Sequence, residues 1–464
     1  MTTRIEMISI KNFKNVGFGT LSLENNRKNY SASVVGVYGQ NGSGKTALID
    51  AIQLLKYAFC GQQIPEKFGD YVNVDASFSE LEYQLKMNHD GTEISIWYSF
   101  KLRKAADDSN VNMDESSSVM KFRTEIFDEI IQYSLVSPME KVRKEILVDT
   151  STNDVFLPKK KYKQLLGKDE SKETDYLVKK KLALATSRSF IFSREMINAF
   201  RLNCKNQTYM TIINGLMMYG NRELFIINTE SSGLIRLNAL PLAFKYKDGN
   251  TETTGNIMIP LNAPAVIPDK TVALIHKILD NMNIVLEQIV PGLTITIKDL
   301  GSAIFSDGNP GRSIQLMSLK NGKEIPLQYE SEGIKKIVSI LQLLIAVYNI
   351  GSITVAVDEL DAGIFEYLLG ELLHIISEKG KGQLIFTSHN LRPLETIDKG
   401  FIAFTTTNPL NRYIRLTNVK VNNNLRDFYF RDIELGEQKE IVYNTTNNYE
   451  IALAFREAGE AFGS

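Results

Sequence analysis

The sequence is poor in the residues that staple small or oxidised folds together. Its two cysteines, Cys60 and Cys204, are too few and too far apart for a disulfide framework or a cysteine-based zinc site. That scarcity suits a reducing compartment and predicts a cytoplasmic protein. Histidine is nearly as scarce, with four copies. His89 falls in a turn, and His276 and His374 fall on helices, so His389 is the one placed for chemistry. The single tryptophan, Trp97, sits on a hairpin where a core or sheet-face role suits it. An excess of charge is missing too. The 53 Lys and Arg face 54 Asp and Glu, so global charge argues neither for nor against nucleic acid. The amino terminus has no long apolar stretch after its first charges, and no secretion signal is expected. One uncharged run, Ile337 to Val357, is long enough to cross a bilayer as a helix. Gln342, Asn349 and Gly351 interrupt it, and Ile353-Thr354-Val355-Ala356-Val357 is rich in β-branched residues. A buried helix, a turn and a central parallel strand account for it better, and no membrane contact is expected.

What is present is a chain of 464 residues, 43% hydrophobic and 23% charged, long enough for about two to three domains. Its organising stretch is Gly39-Gln40-Asn41-Gly42-Ser43-Gly44-Lys45-Thr46, between an apolar run (Val34 to Tyr38) and a helix-like one (Ala47 to Ile52). This is the G-x-x-x-x-G-K-[ST] phosphate-loop pattern in its strand–turn–helix setting. Gly39, Gly42 and Gly44 can adopt backbone angles closed to other residues, so successive N–H groups can face an anion. The helix starting near Lys45 points its partial positive end at the same place. In that setting Lys45 reaches the β- and γ-phosphates of a nucleotide, and Thr46 ligates Mg²⁺.

A second requirement is an acid at the tip of a neighbouring buried strand. Ile353 to Val357, followed by Asp358-Glu359, supplies it. Asp358 would hold the metal through its water shell, and Glu359 would orient and deprotonate the attacking water. The plainer reading is that both acids cap a helix beginning near Ala362. Farther on, Gln383 to Thr387 reads as a strand, and His389 at its end can reach a γ-phosphate on the neighbouring strand. Between these halves, Ser331-Glu332-Gly333 opens the helix Ile337 to Val347; it is either an anion-binding helix start or simply a good cap.

Elsewhere, residues 4 to 13 alternate apolar and polar and read as an edge strand, with Leu21 to Leu23 pairing beside it. Leu81 to Lys86 and Ile94 to Phe100 form a hairpin about Asn88-His89-Asp90-Gly91. Lys104 to Val119 reads as a loop. Lys141 to Arg188 is locally rich in cations, densest at Lys159-Lys160-Lys161-Lys163 and Lys179-Lys180-Lys181. A solvated helical face and a contact to a phosphate backbone or an acidic partner both remain open for it. Ile275 to Ile289 predicts a helix, Leu293 to Ile297 and Ser313 to Leu319 a strand pair, and Tyr449 to Ala458 a last helix. Heptads are not sustained, so no long coiled coil is expected.

The ordered set of phosphate loop, Ser-x-Gly helix start, strand ending Asp-Glu, following Asp361 and strand ending in His389 resembles the ABC-type ATPases. Within them it resembles the branch of RecF, SMC heads and OLD-like proteins. Ile8-Ser9-Ile10-Lys11-Asn12-Phe13-Lys14 and Gly44 to Ile52 are similar to that branch's first strand and first helix. Ser331-Glu332-Gly333 with Lys335 looks like its signature, and Asp358 to Gly363 like its Walker B and D-loop. Among known groups the chain resembles the short, coil-free ATPases paired with a Toprim-type nuclease in the PARIS and AbiL anti-phage systems. The resemblance covers about residues 1 to 60 and 325 to 405.

It implies an α/β fold: a P-loop ABC-type head with a mixed sheet, built from residues 1–100 and 310–464. Residues 101–309 would be an inserted helical or α+β lobe making partner or dimer contacts. It implies ATP and Mg²⁺ as cofactors, with catalysis by Lys45, Glu359 and His389 and metal binding by Thr46 and Asp358. Asn12, Lys14, residues 39–46, Ser331, Gly333 and Asp361 would contact nucleotide. Ser331 and Gly333 would meet the γ-phosphate on a second copy in a homo-oligomer of ATP-sandwiched heads, with Asp361 near that interface. The implied partners are a Toprim-type nuclease effector and a phage-encoded trigger, and the implied role is a sensor or scaffold of anti-phage defence. A DNA-repair ATPase of RecF or SMC type that binds DNA directly is the alternative. The signature lacks the second Gly and the Gln of the transporter form, which implies slow or regulated hydrolysis. A His common after the D-loop is replaced around Phe365, and the Q-loop Gln stays unassigned, with Gln62 and Gln84 as candidates.

Overall fold

Alternation of apolar and polar residues near the amino terminus builds a six-stranded antiparallel sheet in this computed structural model. The structure describes residues 1–24, 31–106, 122–138, 140–248, 251–305, 308–417, 424–436 and 438–459. The sheet runs in the order Val16–Ser22, Thr2–Phe13, Ser79–His89, Thr92–Ala106, Phe122–Val136, Lys141–Asp149. The strand expected at an edge lies inside it. Ile8 pairs with Leu21 on one side and Tyr83 on the other. Alternation reports that one face is buried, which an interior antiparallel strand shares with an edge strand, so periodicity could not separate them. The expected hairpin forms with His89 opposite Thr92. Asp90 and Gly91 have φ of 47° and 76°, the left-handed pair a two-residue turn needs. Trp97 is half-buried on the sheet face, with the Lys144 ammonium 4.1 Å from its ring centre.

A second six-stranded sheet carries the chemistry. Its order is Tyr413–Ile414, Ile402–Thr405, Ser33–Tyr38, Gln383–Thr387, Thr354–Val357, Leu224–Ile227. All neighbours are parallel except the first pair. Its central strands are buried on both faces and accordingly read as continuous apolar runs. Val35, Val37, Ala356, Ile385 and Ala403 join the core beneath the antiparallel sheet. Val34, Val355, Val357, Leu384, Phe386 and Phe404 join a core on the other face. The helix Lys45–Phe59 fills the first core, burying Leu48, Ile52 and Leu55. The helices Glu332–Asn349 and Glu366–Lys379 cover the second.

The fold is thus α/β with mixed strand pairing, and its longest helix, Asp269–Ile289, is far short of a coiled-coil arm. The stretch between residues 101 and 309 supplies strands to both sheets, Leu224–Ile227 pairing with Thr354–Val357. It also supplies the hairpin Ala239–Asp248 with Thr251–Pro260. Leu293–Ile304 and Pro310–Lys320 pair as expected, with Ile295 opposite Ser318. Of Lys104 to Val119, the first residues finish a strand and 107–119 lie outside the described residues. The helix expected from Ala362 starts at Glu366 instead. Turn bonds Ala362 N–H to Glu359 O (3.1 Å) and Ile364 N–H to Asp361 O (3.0 Å) occupy the intervening backbone. Gly363, at φ 78°, then redirects the chain. Among the described residues, no helix is long and apolar enough to cross a membrane.

Candidate functional site

The strand Ser33–Tyr38 delivers the chain into a loop that no larger residue could close. Gly39 sits at φ 148°, where an added Cβ would overlap Thr405 Oγ1. Gly44, at φ 97° and ψ 10°, is the residue from which the helix Lys45–Phe59 starts. The first turn of that helix carries no acid, so its positive end is uncompensated from within. Ser43 Oγ donates to Gln40 O (2.5 Å) and also meets Thr405 Oγ1. Tyr413 O–H donates to Gly44 O (2.8 Å), and the Asn15 amide donates to Gly42 O. Lys45 folds over the loop and donates to Gly39 O (2.8 Å) and Gln40 O (2.9 Å). Burial lowers its pKa from the ordinary lysine value, opposed by the charges of Asp358, Glu359 and Asp361.

Parallel pairing brings the second half alongside. Val357 lies opposite Phe386, so the next residues, Asp358 and Thr387, end their strands together. Thr387 O–H donates to Asp358 Oδ1 (2.5 Å), and Glu359 N–H donates to Thr387 Oγ1 (2.8 Å). One hydroxyl therefore orients the first acid and ties down the backbone of the second. Asp358 is 1% exposed, and its Oδ2 has no hydrogen-bond partner. Glu359 holds φ 49°, a conformation unusual for a non-glycine residue and found at sites that the surroundings over-determine. The Asp361 carboxylate accepts from His389 N–H (3.1 Å) and Asn390 N–H (3.0 Å), which fixes the turn bearing His389. Lys336, buried on the helix Glu332–Asn349, is lowered by burial, opposed by Glu359, Asp358 and Asp361.

Lys14, Asn41, Gly42, Ser43, Gly44, Lys45, Thr46, Asp358, Glu359 and His389 converge on one cleft of about 500 Å³. Six other expected site residues do not line it. Asn12 lies near the end of the strand Thr2–Phe13, and its carbonyl accepts from Ser79 Oγ (2.6 Å) and Asn73 N–H (2.9 Å). Gly39 and Gln40 lend carbonyls to Lys45 and line a neighbouring cavity of about 350 Å³. Asp361 acts through the His389 turn. Ser331 caps its helix by accepting from Ile334 N–H (3.3 Å). Gly333 packs so closely on Gly363 that a Cβ would overlap the Gly363 carbonyl. Within the cleft, Lys14 is paired with Asp50 and lies 4.0 Å from the Tyr71 ring centre.

Three residues that the motifs do not announce matter here: Thr387, Asn15 and Thr405. Thr387 closes its strand just before Ser388-His389, but only strand register shows that it faces Asp358. Gly42 has open space where a Cβ would stand, so its backbone is accessible to a ligand. The buried, unpartnered Asp358 oxygen and the Thr46 hydroxyl are hard donors that fit Mg²⁺. No group of three or more His, Cys, Asp or Glu among the described residues could hold a metal. A cation here would therefore draw most of its ligands from phosphate and water, which is how Mg²⁺ binds nucleotide sites.

The cation-rich stretch is largely spent on internal bonds. Lys159 bridges Asp154 and Glu173 (2.8 Å each). Lys161 donates to Glu145 (2.5 Å) and Tyr209 O–H (2.6 Å). Lys180 donates to the carbonyls of Thr150 and Thr152 (2.7 Å) and of Asp154 (2.8 Å). Lys160, Lys163 and Lys181 are exposed.

The sequence profile of the family described as AAA ATPase domain matches residues 4–392. No curated protein matches. Among solved structures, the SMC head bound to the C-winged helix domain of ScpA is similar at TM-score 0.40 and 12% identity, covering 89% of this chain and 98% of that one. The SMC head domain from Thermotoga maritima gives 0.37 and 14%, covering 89% and 99%. The recombination mediator protein RecF of the RecFOR pathway gives 0.33 and 13%, covering 84% and 94%.

Proposed function

This chain belongs to the AAA ATPase domain family, and we propose from that premise that it binds and hydrolyses ATP in the cleft between residues 39–46 and Asp358. The observation that carries the reading is the buried Asp358 carboxylate, held by Thr387 at one oxygen and unpartnered at the other, in one cleft with Lys45 and Thr46. Exposed N–H groups of the loop and the helix start would bind the phosphates, with Lys45 exchanging its loop carbonyls for β- and γ-oxygens. Thr46 and Asp358 would hold Mg²⁺, which when bound neutralises charge on those phosphates. Glu359 would take a proton from the attacking water, and His389 would donate to the γ-phosphate. Ser331 and Gly333 would serve the nucleotide of a second copy, in a homo-oligomer of paired heads, with Asp361 near the junction.

The finer role is a sensor or scaffold of anti-phage defence. ATP binding would hold subunits together and restrain a Toprim-type nuclease until a phage component arrives, and the stretch 101–309 would meet the partners. Residues 8–14, 44–52, 331–335 and 358–363 resemble the RecF, SMC-head and OLD-like branch, and a head of that kind with neither a long coiled coil nor a second cluster of catalytic motifs is what supports this role. Calorimetry with ATP and Mg²⁺ on the native chain and on Lys45→Ala tests the first part. Absence of nucleotide binding by the native chain refutes it. A pull-down from the native host tests the second, and recovery of no nuclease counts against it. Direct DNA binding is the second reading, carried by exposed Lys160, Lys163 and Lys181. Salt-sensitive DNA affinity that disappears when these three become Glu would favour it.

A further inference from the structure

Beyond residue 392, where the family profile stops, the chain returns to the phosphate loop through the strand pair Ile402–Thr405 and Tyr413–Ile414. Arg412, just before the second strand, is 6% exposed. Its backbone is fixed by Arg412 N–H to Phe18 O (3.1 Å) and Thr406 N–H to Arg412 O (2.9 Å). Its guanidinium forks: Nη1 donates to Thr406 O (2.7 Å) and Nη2 to Asn15 O, while the buried Nε has no hydrogen-bond partner. A buried charge met only by neutral carbonyls is a poor source of stability. What the fork does supply is position. Asn15, held at its backbone by Arg412, donates its side-chain amide to Gly42 O. The Arg412 stem lies directly behind Gly44, where an added Cβ would stand 3.2 and 3.3 Å from its Cγ and Cδ. Beside it, Tyr413 O–H donates to Gly44 O (2.8 Å). A peptide unit is planar and trans, so holding the Gly44 carbonyl turns Lys45 N–H the opposite way. That N–H is one of the four at a helix start with no partner inside the helix.

We propose that Arg412 is a positioning residue for the phosphate loop: it clamps the backbone at Asn15 to the carboxyl-terminal strand pair, and through Asn15 and Tyr413 the carbonyls of Gly42 and Gly44 are held in place. The inference rests on the reading of the cleft as an ATP site, and it adds a residue that does not itself line that cleft. Glycine peptides rotate readily. A loop left to rotate would present carbonyl oxygens to the phosphates where N–H groups are needed. The clamp therefore bears on how tightly nucleotide binds. It bears less on the chemical step, because the strands that carry His389 and Asp358 lie on the far side of Ser33–Tyr38 in the sheet.

Steady-state turnover of the full-length chain with Mg²⁺ and ATP, beside calorimetry with a non-hydrolysable ATP analogue, tests the inference. Arg412→Met should raise KM about tenfold or more, the loss typical of a hydrogen bond to a charged group, and lower kcat by a smaller factor. Analogue affinity should fall in step with the rise in KM. Asn15→Ala should raise KM as well, and adding Arg412→Met to it should cost little more, because both break one line of contacts. A merely structural loss would shrink the active fraction, which lowers kcat and leaves KM where it was, and it would add to Asn15→Ala in full. Should Arg412→Met not fold, Arg412→Lys, which keeps the charge and loses the fork, takes its place in the same cycle with the same expectations. If the native chain binds the analogue and the Arg412 variant keeps the native KM, or if the two losses simply add, the inference fails and the ATP reading stands. If the native chain binds no nucleotide, both fail.

Discussion

Replacing Thr387 by Val isolates the contribution of one oxygen atom. The two side chains are nearly isosteric, and Val suits a buried strand end. The substitution removes the donor to Asp358 Oδ1 (2.5 Å) and the acceptor of Glu359 N–H (2.8 Å). Asp358 Oδ2 is already without a partner, so the carboxylate would lose its remaining side-chain tether. Leaving a buried polar group unpaired costs about 1–3 kcal/mol. Loss of an outer partner of a metal ligand typically costs about 10–100-fold in metal affinity or activity, or about 1.4–2.8 kcal/mol at 1.4 kcal/mol per tenfold. ATP turnover of Thr387→Val should therefore fall about 10–100-fold and half-saturating Mg²⁺ should rise. Nucleotide binding without metal, which rests on the loop and Lys45, should stay near native. Phosphate release measured against Mg²⁺ at saturating ATP reads the first two quantities, and calorimetry in EDTA reads the third. Thr387→Ser, which keeps the hydroxyl, should recover most of the loss. Native turnover with native Mg²⁺ dependence in Thr387→Val would refute the reasoning. So would a Ser variant no better than Val, which would mean that the methyl group matters and the hydroxyl does not.

The other site predictions are simpler. Lys45→Ala should abolish measurable nucleotide binding in calorimetry, since it removes the ammonium that lies on the loop carbonyls of Gly39 and Gln40; retained affinity would move the phosphates elsewhere. Glu359→Gln should keep ATP affinity, lose turnover and accumulate the paired form in sedimentation; turnover at the native rate would remove Glu359 as the base. Gly39→Ala and Gly42→Ala separate crowding from backbone strain. At Gly39 a Cβ would overlap Thr405 Oγ1, whereas at Gly42 the space is open and only φ 74° resists. The first should lose more nucleotide affinity than the second, which should lose no more than about 30-fold, the equivalent of roughly 2 kcal/mol of left-handed strain. The reverse order in binding assays would place the nucleotide on the far side of the loop.

What was legible beforehand was chemistry written in consecutive residues. The phosphate loop and Asp358-Glu359 are readable because backbone angles, charge and strand burial act within a few positions of each other. Whatever depends on which strand lies beside which was not. Thr387 looks like any strand-ending threonine until parallel register sets it against Asp358. Thr2–Phe13 looks like an edge because alternation cannot distinguish water on one face from water on one side. The helix start near residue 362 was misplaced because a carboxylate can cap a helix or form a turn, and the glycine at 363 decides between them only through its φ. Lys161 and Lys180 read as available cations until Glu145, Tyr209 and three backbone carbonyls surround them.

The last helix reverses the case. Its pattern was plain, yet none of its residues is buried against the described residues, and propensity over 12 residues is marginal in water. Before it, Asn444 N–H donates to Gln40 Oε1 (3.0 Å), which ties the segment leading into this helix to the phosphate loop. Nucleotide binding that shifts Gln40 would then shift the backbone at Asn444, and any equilibrium of that segment coupled to Gln40 would in turn change nucleotide affinity by the same factor, because linkage is reciprocal.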